Sequence, residues 1–139
     1  MIAKKEKTTA VLISEADKLF SEIVRREDAY NGYGPEGYIN CPICEKNVYW
    51  KMADAAHVFD RDNLATRYDE LNVWGTCREC NRLDPDHREK FKATIKRIIG
   101  EGEFECLEER SHSMMKLTRS DLNELIEGFK IKLSKLNRV

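Results

Sequence analysis

Long apolar runs are missing from this 139-residue sequence, and so are internal repeats and low-complexity tracts. The apolar runs extend over only a few residues, and the first residues, Met-Ile-Ala-Lys-Lys-Glu-Lys, lack the apolar core of a secretory signal. We therefore expect a cytoplasmic protein with no membrane partner. Disorder is not expected either, because 41% of the residues are hydrophobic.

The net charge of −1 lacks the basic excess that usually accompanies nucleic-acid binding. The charges are segregated along the chain, however, because basic side chains dominate the stretch 88–97 and glutamates crowd the stretch 101–109. Such a run is most often a solvated helix face, and a basic face for DNA is the alternative. The basic side chains are Arg88, Lys90, Lys92, Lys96 and Arg97. The acidic segment suggests no role.

The length fits one compact domain, or a small stapled centre with helical flanks. We predict a single domain over 1–139, of fold class α+β. It comprises an N-terminal helix and loop at 1–37, a core at 38–86 and C-terminal helices at 87–139.

Within the core, β-branched and aromatic residues favour short strands at 48–50 and 55–59, and a turn is expected at 60–63. We predict a β-hairpin followed by a short helix at 77–84, which Pro85 would stop.

The N-terminal part has the three- and four-residue apolar spacing of an amphipathic helix. We predict that this helix runs from Ser14 to about Asp28, with Ser14 and Asp17 as a capping box. A loop dense in glycine and other turn formers should follow at 30–37.

Two further stretches after the core have the apolar spacing of helices. The first helix should end at Gly100, and the second should be capped by Thr118 and Asp121. Stripes of this kind are most often core, and a homodimer seam along the last helix is the alternative.

Four of the five cysteines form two pairs, Cys41-Pro-Ile-Cys44 and Cys77-Arg-Glu-Cys80. A two-residue spacer lets both thiolates of a pair reach one ion at about 2.3 Å. A single pair could be a chance or redox motif, but two pairs predict one structural Zn²⁺ held by all four sulfurs. Such a closed site leaves no position for water, so the ion would be a staple and not the catalyst. Cys106 is left over as a buried hydrophobe or an idle thiol.

A histidine, His57, lies between the pairs, Asn72 precedes the second pair, and Asn81 directly follows it. This order resembles the HNH (ββα-metal, treble-clef-like) nucleases. The resemblance implies that His57 is the general base, that Asn72 orients it through a backbone contact, and that Asn81 binds a catalytic Mg²⁺ or Mn²⁺. For His57 alone, a hydrogen-bonded hairpin histidine is the alternative.

Several segments at matched spacing extend the likeness, and over roughly 20–100 the chain resembles the bacteriophage recombination protein NinG (Rap) family. The resemblance implies a structure-specific endonuclease that cuts branched DNA such as Holliday junctions, in the host cytoplasm if a phage encodes it. The segments are Asp54-Ala55-Ala56-His57, Arg67-Tyr68-Asp69-Glu70-Leu71-Asn72-Val73, Cys77-Arg78-Glu79-Cys80-Asn81-Arg82 and Lys96-Arg97-Ile98-Ile99-Gly100.

Two positions depart from the expected pattern. Trp74 stands where family members commonly have a histidine, and Ala56 stands where many HNH enzymes have a metal-binding Asp or His. We predict Asp54 as the substitute ligand, through a bulge or bend in its strand, with Asp60 as the fallback. Solvated carboxylates at both positions are the alternative.

Arg67 is a candidate for clamping a phosphate or transition-state charge. A surface ion pair with Asp69 or Glu70 is an equally good interpretation.

Three functions remain open at this point. The first is the branch-specific endonuclease, which would act on DNA as a possible homodimer and contact the duplex through the basic stretch 88–97. The second is a nicking HNH nuclease without junction preference. The third is a non-catalytic zinc module for DNA or protein that has lost the chemistry through Ala56 and Trp74.

Overall fold

The computed structural model describes residues 6–32 and 34–137. The helices and strands form two compact units, one made of the residues up to Ile23 and those from Lys116 onward, the other of Val24–Met115. The predicted mixture of helices with small β-sheets is confirmed. The prediction of a single domain stays a prediction.

The helices are α1 (Thr9–Tyr30), α2 (Leu64–Arg67), α3 (His87–Ile99), α4 (Glu101–Ser111) and α5 (Arg119–Leu136); the strands are β1 (Tyr38–Asn40), β2 (Asn47–Tyr49), β3 (Asp54–His57) and β4 (Val73–Thr76); a 3-10 turn spans Trp50–Met52 and a π-helical turn spans Glu79–Leu83.

The predicted start of the first helix is wrong. Helix α1 begins at Thr9, and the Oγ1 atom of Thr8 accepts a hydrogen bond of 3.2 Å from the backbone N–H of Val11. The Ser14–Asp17 pair therefore lies inside the helix, where it cannot cap. The apolar stripe already includes Leu12, which is buried.

Helix α5 confirms its predicted cap. The Thr118 hydroxyl accepts from the backbone N–H of Asp121 at 3.1 Å, and the Asp121 carboxylate accepts from the backbone N–H of Thr118 at 2.9 Å. Its apolar stripe is core, with the ring of Phe129 5.3 Å from that of Phe20. A dimer seam along this helix stays a prediction.

The predicted hairpin is corrected in its pairing. Strand β2 pairs antiparallel with β1 and not with β3, which pairs antiparallel with β4 from Asp54↔Thr76 to His57↔Val73. Strand β4 was not expected, and the predicted strand at 48–50 ends early because Trp50 opens the 3-10 turn. The predicted turn at 60–63 is confirmed by a bond of 3.0 Å from Asn63 N to the Asp60 carbonyl.

The predicted short helix at 77–84 is mainly the π-helical turn, and α3 follows it. As predicted, α3 ends before Gly100. The backbone of Gly100 has a φ of 92°, which residues other than glycine rarely adopt. Helix α4 was not expected. It buries Phe104 and Leu107 against Phe59 and α3, while its glutamates are exposed, so the acidic segment 101–109 is the solvated face of a helix.

One buried contact ties α1 to β4. The Oδ2 atom of Asp28 accepts a hydrogen bond of 2.6 Å from the backbone N–H of Gly75. A Cβ atom at position 75 would lie 2.8 Å from Cδ1 of Ile39 and 3.2 Å from Oδ2 of Asp28, so a larger residue would force these side chains to shift. The contact fixes β4 directly before Cys77.

Ionisation of Asp28 lowers the stability of the folded protein as the pH rises. Burial raises its pKa from 3.8 to about 6, against the lowering effect of the Gly75 hydrogen bond, and the charge of Glu27 raises it further. Because the folded state holds this proton more tightly, the associated stability is present below pH 3.8 and is lost as the pH rises through 6. The loss is on the order of 2 to 3 kcal/mol.

We therefore expect Asp28→Asn to be more stable than wild type at pH 7.5, because the amide keeps an acceptor for the Gly75 N–H without a buried charge. Urea unfolding of both zinc-loaded proteins should give a stability difference that shrinks between pH 7.5 and pH 5. Any effect of pH on the cysteines is common to both proteins and cancels. An unchanged difference across this range would contradict the assignment.

In the described part of the chain, no helix combines the length and the hydropathy that crossing a bilayer requires.

Candidate functional site

The sulfur atoms of the two cysteine pairs meet at one point. Those of Cys41, Cys44, Cys77 and Cys80 all lie within 4.8 Å of one another. The Cys44 and Cys77 sulfurs are 3.6 Å apart, and a tetrahedral ion with bonds of about 2.3 Å requires sulfur separations of about 3.8 Å. The geometry therefore fits a metal ion such as zinc, as predicted.

The first pair lies in the loop that joins β1 to β2. This loop is closed by a bond of 2.9 Å from the backbone N–H of Cys41 to the carbonyl of Lys46, and Glu45 N donates to the Cys41 carbonyl at 2.8 Å. Glu45 has a φ of 65°, an uncommon conformation for a residue with a Cβ. The tight turn brings the Cys41 and Cys44 side chains to the same side.

The second pair follows β4 without a linker. Cys77 is the residue after the strand, and Cys80 lies in the π-helical turn, where its backbone N–H donates to the Cys77 sulfur at 3.4 Å. The metal centre therefore joins the β1–β2 loop to the end of the β3–β4 sheet.

The clustered thiols oppose one another's ionisation. Burial raises the pKa of Cys77 and of Cys80, and the neighbouring sulfurs add to the effect at Cys80, because four thiolates repel one another. At Cys41 burial opposes ionisation, but backbone hydrogen bonds from Cys77, Cys44 and Ile43 outweigh it and lower the pKa. A divalent cation would stabilise all four thiolates together.

His57 has a defined ring orientation at the end of β3. Its Nε2 atom lies 3.2 Å from the carbonyl oxygen of Arg67. A carbonyl oxygen can only accept, so Nε2 carries the proton and the neutral ring has its lone pair on Nδ1. This tautomer is the one in which Nδ1 can accept a proton.

Asn72 is fully buried beside the histidine segment. Its Oδ1 accepts from Phe59 N at 2.8 Å, and its Nδ2 donates to the carbonyls of Phe59 and Thr66 at 3.1 and 3.0 Å. Asn72 thus cross-links the residues just after His57 to the residue before Arg67. It holds the backbone on both sides of the histidine contact, although its role as orienter stays a prediction.

Asp54 and Asn81 are brought together, but not in the way expected. The Nδ2 atom of Asn81 donates to Oδ2 of Asp54 at 3.0 Å. Arg82 donates two hydrogen bonds of 2.8 Å to the same carboxylate. The Nε atom of Arg78 lies 3.7 Å from Oδ1 of Asp54. The Asp54 side chain, 11% exposed, is therefore engaged as an anion partner of arginine.

An open cleft of about 250 Å³ lies beside β3 and contains both His57 and Asn81. Asp60, the fallback carboxylate, also lines it, whereas Asp54 does not. The polar side chains of the cleft are His57, Asp60, Arg61, Asn81, His87 and Arg88, and its remaining wall is formed by Ala55, Ala56, Val58 and Phe91.

His87 was missed by the sequence analysis. It opens α3, and its Nδ1 atom lies 2.9 Å from the Asp84 carbonyl. Between Asn81 and His87 the chain passes through the end of the π-helical turn and the turn at Pro85. Because these residues do not belong to one regular helix, helical spacing cannot predict the direction of the His87 side chain.

The other predicted side chains occupy defined places. Arg67 donates from Nη1 to the Arg61 carbonyl at 2.7 Å, so its side chain lies close to the cleft wall. Its proposed contact with phosphate stays a prediction. Trp74 donates to the Leu71 carbonyl at 2.8 Å and packs against the core of Phe59 and Phe91, which gives it a structural role.

Of the basic residues of α3, Arg88 lines the cleft and the others have partners elsewhere or are exposed. Arg88 lines it and lies 3.5 Å from Asp60, and Lys90 pairs with Asp84 at 2.6 Å. Lys92 lies over the ring of Phe59, 5.2 Å from its centroid, and Lys96 lies over that of Phe104 at 5.9 Å. Arg97, in the last turn of α3, is exposed.

Comparison with family models matches residues 2–138 to the family described as bacteriophage lambda NinG protein. Comparisons with curated proteins and with solved structures give no match. The matched range includes the four clustered cysteines and all residues of the cleft. The chain therefore belongs to the NinG family, which gives it a role related to bacteriophage recombination.

Proposed function

We propose that this protein is a metal-dependent, HNH-type endonuclease that hydrolyses phosphodiesters at branched DNA such as Holliday junctions. The observation that carries the proposal is the placement of His57. Its ring is held through Nε2 against the Arg67 carbonyl, inside a cleft that also contains Asn81 and the cation Arg88. A proton acceptor, an amide ligand and a phosphate-binding cation thus share one open site.

In the proposed reaction, the oxygen of water forms a bond to the phosphorus of the scissile phosphodiester, and a proton of that water passes to Nδ1 of His57. The bond between phosphorus and the leaving oxygen breaks, that oxygen takes a proton from solvent water, and His57 later returns its proton to solvent. A bound divalent ion supplies Lewis-acid stabilisation of the phosphate and of the leaving oxygen. Arg61 and Arg88 give the cleft positive charge for the substrate phosphate.

The fold around the cleft supports an HNH interpretation. Strands β3 and β4 form an antiparallel pair with His57 on the first strand, and the π-helical turn that carries Asn81 follows the second. The proposed zinc ion would hold the start of that turn through Cys77 and Cys80. Local zinc binding would therefore set the distance between the two sides of the cleft.

Helix α3 is the proposed duplex-contacting surface, because it starts in the cleft and bears basic side chains along its length. Contacts to phosphates position a protein without reading sequence, so the preference for branches would come from DNA shape. A two-fold dimer would place two sites on opposed strands of a junction.

One consequence of this surface is a change in salt dependence. We expect Lys92→Gln to make the slope of log affinity against log salt shallower by about 0.9, because one phosphate contact is lost. The control is Lys130→Gln on α5, an exposed lysine that pairs with Glu127 outside the cleft. Fluorescence titration of a four-way junction at several salt concentrations measures both slopes. Equal slopes for the two variants would exclude Lys92 from the surface.

The branch preference is tested by competition. A four-way junction and a linear duplex of the same sequence, carrying different labels, are cleaved in one reaction with Mg²⁺ or Mn²⁺. We expect cuts near the branch point and little cleavage of the duplex. Equal cleavage of both substrates would favour a nicking nuclease without junction preference, and no cleavage of either would favour a non-catalytic zinc module.

A further inference from the structure

We infer that the divalent ion of the cleft is held by Asn81, His87 and Asp60, and that Asp54 orients Asn81 without binding the ion. This inference rests on the proposed function, because it names the residues that serve the same reaction. All three ligands line the cleft together with His57, and Asp54 does not.

The orientation of Asn81 follows from its partner. A carboxylate accepts hydrogen bonds and donates none, so the amide nitrogen of Asn81 must face Asp54, 3.0 Å away. The amide oxygen then points away from Asp54. Because Asn81 also lines the cleft, this oxygen is the atom that the side chain offers to an ion there.

Asp54 is an unfavourable ligand because its charge is already compensated. Two hydrogen bonds of 2.8 Å join its two carboxylate oxygens to Arg82, and an ion would have to displace this guanidinium. Its contact with Asn81 is of the kind that fixes a ligand from behind. Asp54 is therefore a positioning residue.

The tautomer and the position of His87 suit a metal ligand. The Asp84 carbonyl, 2.9 Å from Nδ1, can only accept, so Nδ1 carries the proton. The neutral ring then has its lone pair on Nε2. Metal-binding histidines commonly have this arrangement, in which the second ring nitrogen donates to a carbonyl and fixes the ring.

Asp60 supplies the negative charge. Its Oδ1 accepts from the backbone N–H of Asp62 at 3.1 Å, and its other oxygen lies 3.5 Å from Arg88. Both members of this ion pair are at least half exposed, with exposures of 50% and 62%, so the pair is weak and a divalent ion can compete with it.

The ligand set is one imidazole, one amide oxygen and one carboxylate, and water would fill the remaining positions. The Asp60 side chain is half exposed, so it can rotate toward an ion held by Asn81 and His87. Mn²⁺, which accepts oxygen ligands and can be detected by its unpaired electrons, is the suitable probe.

The test is Mn²⁺ binding to the zinc-loaded protein, followed by titration and by pulsed electron paramagnetic resonance. We expect wild type to bind one Mn²⁺ with a nitrogen coupling from an imidazole. His87→Ala should lose this coupling and weaken Mn²⁺ binding by about tenfold or more. His112→Ala, the matched control at the exposed end of α4, should change neither.

Further variants distinguish the residues that bind Mn²⁺ from the residues that only lie near the ion site. Asp54→Asn and His57→Ala should keep the nitrogen coupling, because neither side chain binds the ion in this assignment. His87→Gln, which keeps a polar side chain at the start of α3, should lose it with an unchanged zinc content. The assignment is overturned if the coupling survives in both His87 variants, if it disappears in His57→Ala, or if wild type binds no Mn²⁺.

The two proposals can fail separately. Cleavage of a junction by wild type, with an unchanged Mn²⁺ signal in His87→Ala, would overturn the ion site and leave the nuclease proposal standing. Mn²⁺ binding that depends on His87, without cleavage of any DNA, would support the ion site and contradict the nuclease.

Discussion

His57→Ala is expected to lower the rate of DNA cleavage by about 10²- to 10⁴-fold, because the variant has no general base in the cleft. The wild-type ring is held through Nε2 by the Arg67 carbonyl, which leaves Nδ1 as the nitrogen that accepts a proton from water. Single-turnover cleavage of a labelled four-way junction with Mg²⁺ measures the loss directly.

The zinc content and the junction affinity of His57→Ala should match those of wild type, because His57 is neither a zinc ligand nor part of the basic helix α3. His112→Ala is the matched control and should cleave at the wild-type rate. If His57→Ala cleaved as fast as wild type, the base would have to be another group. If junction binding were lost with cleavage, the rate would report affinity and not proton transfer.

Removal of the proposed structural zinc should have the largest effect on the fold. Binding of zinc by four thiolates can supply on the order of 10 kcal/mol. In this chain the cluster joins the β1–β2 loop to the residues after β4, and both sheets have only two short strands. Such sheets are marginal on their own. We therefore expect Cys77→Ser to lose zinc and the order of both sheets.

Hydrogen exchange is the appropriate measurement, because it reports each segment separately. Protection should fall in β1 to β4 and in the π-helical turn. Cys106→Ser is the matched control, since Cys106 is an exposed thiol on α4 outside the cluster, and it should keep zinc and full protection. Stoichiometric zinc and unchanged exchange in Cys77→Ser would show that the staple is not needed.

The cysteine cluster could be predicted from the sequence because the spacing rule for metal-binding cysteines is local. A two-residue spacer fixes which thiols can share an ion, whatever lies between the pairs. The caps of α5 and the end of α3 at Gly100 were predictable for the same reason, since each depends on side chains within one helical turn.

Strand β4, the entry of His87 into the cleft and the partners of Asp54 could not be predicted in this way. Gly75 weakens the strand pattern, and its reason is the approach of Asp28, which is distant in sequence. His87 enters the cleft only because a π-helical turn and the Pro85 turn reset the direction of the chain. The two hydrogen bonds from Arg82 to Asp54 were also hidden, because sequence spacing does not show which cation a carboxylate contacts.

The central claim is that a zinc-held cleft cuts branched DNA. The most direct measurement is strand cleavage of a four-way junction by zinc-loaded wild-type protein, with Mg²⁺, Mn²⁺ and EDTA compared in parallel. The account predicts cuts near the branch point with a divalent ion and none in EDTA. An intact junction with every divalent ion, from protein that holds zinc and binds the DNA, would contradict it.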